Sequence, residues 1–185
     1  MSRIYLDDAG SAPVLKEVRA ALRDVPEGNP SSPHADGRAA RATLDRARDL
    51  AAQAIGADRT EISFTGSGTE SVNLALLGAA RRLPKRGPVL TWAAEHQSVL
   101  GAARRLQLEG HPVEVARVDG SGRADPDDIP DSAALVSIGL ANNEVGTIQP
   151  VDAIIARAHE VGALVHVDAC AGPRERGRPL HARER

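Results

Sequence analysis

From residue 61 to residue 168 the chain alternates short apolar runs with longer stretches whose apolar residues return every three or four positions. Few architectures accept that alternation, because each helix must cross back over the sheet before the next strand can lie parallel to the last. The pattern predicts strands at 61–65, 88–92, 112–117, 133–138 and 163–167, with helices at 69–82, 95–109 and 151–161. The runs 133–138 and 163–167 are apolar but for Ser137 and His166, as expected of strands covered on both faces. The expected fold is therefore α/β, three layers (α/β/α) around a mostly parallel sheet.

Ahead of this block, Pro13 to Leu22 reads as a short helix, and residues 26–34 form a loop with three prolines. A longer helix is predicted from Asp36 to Ile55, where Leu44, Ala47, Leu50, Ala51, Ala54 and Ile55 keep helical spacing, and Gly56 ends it. After Asp168 the character changes. Residues 173–185 hold five Arg, two Glu and two Pro with one large apolar residue, Leu180, which predicts a frayed tail. The expected division is an N-terminal segment (1–34), a large domain (35–170) and an Arg-rich, disordered tail (171–185).

A chain of 185 residues can bury roughly 70% of its unfolded surface, and 42% hydrophobic with 26% charged residues is a globular composition. Aromatic residues are limited to Tyr5, Phe64 and Trp92, so Ala, Val, Leu and Ile must build the core. A net charge of −2 gives no general field for nucleic acid. No apolar run approaches the ~20 residues of a membrane span. The N-terminus turns acidic at Asp7 without an apolar stretch, and the one cysteine, Cys170, has no internal partner; a cytoplasmic protein is expected.

Four segments carry potential chemistry. Gly66-Ser67-Gly68-Thr69-Glu70 follows a predicted strand and opens a helix. Ser67 and Glu70 have capping-box spacing, and the glycines let backbone N–H groups approach an anion, so the segment reads equally as a capped turn or a phosphate seat. His96 lies just past a strand, where it can cap a helix, stack on a flat ring or shuttle a proton. Asn142-Asn143-Glu144 follows the 133–138 strand and reads as an Asx turn or as hydrogen-bonding groups for a polar ring substituent. Asp168 ends the last strand, either as a helix N-cap or as the partner of a cationic ring nitrogen. Together the four line one sheet edge and suit pyridoxal phosphate.

The chain resembles the cysteine desulfurases, the class V branch of the fold-type I pyridoxal-phosphate enzymes. The resemblance rests on Tyr5-Leu6-Asp7, Gly28-Asn29-Pro30-Ser31-Ser32, Phe64-Thr65 with Thr69-Glu70-Ser71-x-Asn73-Leu74-Ala75, Glu95-His96-x-x-Val99-Leu100, Asn142 through Pro150, and His166-Val167-Asp168-Ala169, in the family's order over residues 4–169. It implies part of the large domain of the pyridoxal-phosphate-dependent transferase fold. It implies that Gly68 and Thr69 hold the phosphate of pyridoxal 5'-phosphate, His96 stacks on the ring and moves protons, Asn143 bonds the ring hydroxyl oxygen, Asp168 pairs with the ring nitrogen, and Asn29 lies near the substrate mouth. No metal is implied.

The departures are as informative. Ala171 stands where the family has a glutamine. The Schiff-base lysine, in a Ser-x-His-Lys stretch, is not matched by Lys16 or Lys85, the only lysines. The sulfur-accepting cysteine is not matched by Cys170, which is expected to be a buried, inert thiol. The resemblance implies removal of sulfur from L-cysteine, giving alanine and a persulfide passed to a sulfur-acceptor protein for iron–sulfur or thio-cofactor assembly. The chain alone reads as truncated and inactive. The alternatives are a non-catalytic remnant, one piece of a split enzyme completed by a second chain, or a small phosphate-binding α/β module; a homodimer is the family's expected assembly.

Overall fold

The computed structural model describes residues 4–7, 10–83 and 87–171. They fall into two compact units, one up to Phe64 and one from Thr65 onward. The sequence reading places its cut at residue 34/35 instead. The Arg-rich tail lies outside the described residues, apart from Ala171.

The N-terminal unit holds α1 (Lys16–Arg23) and α2 (Ala35–Ile55). The α2 helix forms where its apolar spacing predicts. The His34 ring accepts from the Gly37 N–H at its start, and Gly56 ends it in the left-handed conformation (φ 72°). Asp45 gathers Arg41, Arg48 and Arg59 around its carboxylate. The hydrogen bond from Arg41, with the neighbouring guanidinium charges, holds Asp45 below the usual carboxylate range. The expected strand at 61–65 does not form. Arg59–Glu61 is a 3₁₀ turn closed by a capping box between Asp58 and Glu61, and no sheet neighbour lies beside 62–65 among the described residues. Alternation at 62–64 was a strand signal without a partner, and Phe64 is exposed.

The second unit is a four-stranded, wholly parallel sheet in the order β2-β1-β3-β4. Its strands are β1 (Val89–Trp92), β2 (Val113–Ala116), β3 (Leu135–Gly139) and β4 (Leu164–Asp168). Its helices are α3 (Gly68–Arg82), α4 (Gln97–Leu108) and α5 (Val151–Glu160). The period of two in the central strands sorts the layers. Val89 and Leu135 face Val72, Leu76 and Ala80 of α3 and Val99, Ala102 and Leu106 of α4. Leu90, Trp92, Val136 and Ile138 face the other way, onto Ile154 and Ala158 of α5 and onto Ile129. The result is the expected three-layer α/β/α arrangement.

Polar groups inside these layers are satisfied. The Thr91 hydroxyl donates to the Ser137 carbonyl at 3.0 Å, and the Trp92 indole N–H donates to Asp128 at 3.0 Å. The expectation for 133–138 holds, since Leu135 to Ile138 are all buried. For 163–167 it does not: β4 is half-buried, because it pairs on one side only, and Leu164 is 51% exposed.

Candidate active-site edge

The strand order 2-1-3-4 reverses between β1 and β3, and parallel sheets open a crevice at the carboxyl ends of the strands there. Glu95, three residues past the end of β1, reaches into that gap. Its Oε1 accepts the Gly139 N–H from the end of β3 at 2.8 Å. Gly139 pairs in register with Asp168 at the end of β4, and the Asp168 carbonyl accepts the Leu140 N–H at 2.7 Å. A second tie comes from Asn142, whose side-chain amide donates to the Ala94 carbonyl at 2.8 Å. The turn after β1 is therefore bonded twice to the segment that leaves β3.

The four predicted segments do reach this one edge. Asp168 ends β4, and its Oδ1 accepts the Cys170 N–H at 3.0 Å. The Cys170 thiol abuts the start of α3: a Cβ on Gly68 would lie 2.7 Å from its sulfur. A larger residue there would push the thiol aside, and this close approach brings the first turn of α3 beside the residues that follow β4. Ser67 caps that turn by accepting the Glu70 N–H at 3.2 Å. The expected capping box closes by half, because the Glu70 carboxylate accepts the Gly66 N–H at 2.7 Å instead of the Ser67 N–H. Gly68 and the exposed Thr69 stand in the first turn, where backbone donors and the helix dipole favour an anion.

His96 is the N-cap of α4. Its Nδ1 accepts the Ser98 N–H at 3.1 Å and lies 2.7 Å from the Ser98 hydroxyl. The capping reading is thus realised, with Nε2 left for other work on an exposed ring. Of the two adjacent asparagines, Asn142 is spent on the fold. Its Oδ1 accepts the Glu144 and Val145 N–H groups in an Asx turn, while Asn143 is exposed. Asn29 lies in the N-terminal unit, in an Asx turn of its own with the Ser31 N–H donated to Oδ1 at 2.9 Å.

Cys170 is exposed, contrary to the expectation of a buried thiol, because it sits on the turn beyond the sheet. It is nonetheless a poor nucleophile. Hydrogen bonding to Asp168, partial burial and the Asp168 charge all push the thiol pKa up. Lys16 lies in α1 of the N-terminal unit, and Lys85 lies outside the described residues.

The residue that sequence reasoning passed over is Glu95. Burial, with the Asp168 charge beside it, pushes its carboxyl up to about 7 against the opposing pull of the Gly139 N–H. On β4, burial drives His166 toward its neutral form, and its Nδ1 lies 2.9 Å from the Ser137 hydroxyl. Neither Glu95 nor Asp168 is ion-paired among the described residues. An edge with anion-binding donors at one end and unpaired carboxyls at the other suits a ligand that carries phosphate and a basic ring nitrogen together. Among the described residues there is no cluster able to hold a metal, and no helix is long and apolar enough to cross a membrane.

The family model for class-V aminotransferases matches residues 4–176. The chain is 40% identical over 174 residues to cysteine desulfurase IscS of Dictyoglomus turgidum, which covers 90% of this chain and 44% of that protein. It is 39% identical over 176 residues to a cysteine desulfurase of Trichormus azollae, covering 91% of this chain and 44% of the relative. Among solved structures, a NifS-like protein aligns with a TM-score of 0.76 at 34% identity, over 83% of this chain and 44% of that one. SspA in complex with cysteine aligns with a TM-score of 0.81 at 33% identity, over 87% and 49%. The chain spans less than half the length of these relatives.

Proposed function

We propose that this chain, which belongs to the class-V aminotransferase family, holds pyridoxal 5'-phosphate at the carboxyl edge of its sheet as the cofactor-binding half of a cysteine desulfurase. One observation carries the reading. Asp168, an acid with no ion-pair partner among the described residues, closes β4 beside the start of α3, so a ring-nitrogen partner and a phosphate seat belong to one edge. Bound there, the cofactor supplies an electron sink for bond cleavage next to an amino group.

The residues divide the work by chemistry. Gly68 and Thr69 hold the phosphate with first-turn N–H groups and a hydroxyl. Asp168 pairs with the ring nitrogen and keeps it protonated. Asn143 donates to the ring hydroxyl oxygen. His96, oriented by its bond to Ser98, stacks on the ring and moves protons through Nε2. L-cysteine is the substrate, with alanine and a persulfide as products, and a sulfur-acceptor protein takes the persulfide sulfur in the cytoplasm. The covalent lysine and the sulfur-accepting thiol come from polypeptide beyond these 185 residues, within a homodimer or from a complementing chain.

Calorimetric melting of the 185-residue chain with added pyridoxal phosphate tests the cofactor assignment. The expected result is stabilisation that rises with ligand, about 2.7 kcal/mol at a hundred times the dissociation constant. It should be lost in Asp168→Asn and weakened in Thr69→Ala. Equal stabilisation by inorganic phosphate, indifferent to Asp168→Asn, would point instead to a simple phosphate module. The chain alone should release no alanine from L-cysteine, and sustained turnover would overturn the division of labour.

A further inference from the structure

We propose that Glu95 is a positioning residue that responds to what occupies Asp168: it keeps its proton while Asp168 stands alone and releases it when a cationic ring nitrogen settles there. This rests on the reading that Asp168 takes the cofactor's ring nitrogen. The geometry makes the coupling direct. Glu95 leaves the turn after β1 and crosses to β3, where Oε1 accepts the Gly139 N–H. Gly139 is the register partner of Asp168. Oε2 lies 3.2 Å from where a Cβ on residue 139 would be, so the glycine lets the carboxyl lie flat on the end of β3.

The charged group acting on this carboxyl is Asp168 on β4; the other titratable groups on the neighbouring elements are His166 on β4, Cys170 just beyond it, and His96 at the start of α4. His166 is driven toward neutrality by burial, and the Cys170 thiol is held protonated beside Asp168. The standing charge is therefore negative. Burial first, and the Asp168 charge after it, push Glu95 up to about 7, so near neutral pH it holds its proton far more readily than an exposed carboxyl does.

A cation at Asp168 removes the repulsion. Glu95 then loses its proton to bulk water; no electrons move and no covalent bond to carbon or sulfur changes. The ionised carboxylate accepts the Gly139 N–H more strongly and fixes the turn that carries His96. By reciprocity, the cofactor binds more tightly as pH rises through the titration of Glu95.

The Gly139 amide proton, followed by nitrogen-15 correlated NMR on the intact chain, reads this carboxyl directly. Without ligand its shift should titrate with a midpoint near 7. Saturating pyridoxal phosphate should lower that midpoint, and Asp168→Asn should lower it without ligand. In Glu95→Gln, which keeps an acceptor for Gly139, the titration should vanish. Inorganic phosphate, lacking a ring nitrogen, should leave the midpoint in place. If pyridoxal phosphate stabilises the chain yet the midpoint stays, or if Asp168→Asn leaves it unmoved, Glu95 is a structural tie only. If pyridoxal phosphate neither stabilises the chain nor moves the amide, the site reading fails and this inference falls with it.

Discussion

In the unit from Thr65 onward, Leu76, Trp92, Leu106, Val136, Ile138 and Ile154 are withdrawn from water in two layers on either face of one sheet. Among the described residues of the N-terminal unit the buried ones are Gly37, Ala40 and Ala52, while Leu15 at the N-cap of α1 and Val18 and Leu22 within it stay exposed. The sheet unit is held by apolar burial; the N-terminal unit relies on caps and on the charges gathered around Asp45. Exposed ion pairs contribute little, about 0–1 kcal/mol each. The two units should therefore respond very differently to the same kind of substitution, and the candidate site lies on the one with its own core.

The sharpest break comes from truncating the core. Ile138→Ala should cost about 2–5 kcal/mol, whereas Val18→Ala on α1 should change stability by no more than about 0.5 kcal/mol. Trp92, the sole tryptophan, is fully buried in the sheet unit, so its fluorescence during urea denaturation reports that unit. Equal losses for the two variants would show that α1 is packed as firmly as the sheet.

Next in size is a pH effect confined to the sheet unit. Glu95 ionises near 4.5 when unfolded and near 7 when folded, so the folded state holds its proton longer. Stability from this group is complete below 4.5, declines as pH rises toward 7, and is flat beyond. The total is up to about 3 kcal/mol, at about 1.4 kcal/mol per unit. Glu109 acts with the opposite sign: hydrogen bonds from Arg81 and then Arg105 hold it near 2, so its contribution is lost as pH falls from 4.5 toward 2. Comparing denaturation midpoints of the wild type and Glu95→Gln across this range isolates the first effect; parallel profiles would refute it.

The smallest expected change is at a helix cap. Ser67→Ala removes the acceptor for the Glu70 N–H and should cost about 1 kcal/mol, read by the same unfolding curves. A loss well above that would mean the start of α3 holds more of the sheet edge together than its own first turn.

Much of this was readable from residues whose constraints are local. The α2 helix, its glycine stop, the start of α3 and the central strands all declare themselves through spacing, capping and uninterrupted apolar runs. The failures arise where a partner decides. Residues 62–64 alternate like a strand, but a strand needs a neighbour. The 163–167 run is as apolar as 133–138, yet β4 has one neighbour and β3 has two. Asn142 and Asn143 are indistinguishable in composition, and only the long-range bond to Ala94 separates the structural one from the free one. Glu95 could have been found. An acid just past a buried strand was reason enough to single out Asp168, and the same reasoning applies three residues after Trp92.

The contact between Glu95 and Gly139 also limits how this sequence can change over time. The two are 44 positions apart, yet a Cβ at 139 would lie 3.2 Å from the Glu95 carboxylate. That end of the side chain would have to give by a few tenths of an ångström, so alanine at 139 tightens the contact and a shorter side chain at 95 relieves it. The effect of a change at either position therefore depends on the residue at the other.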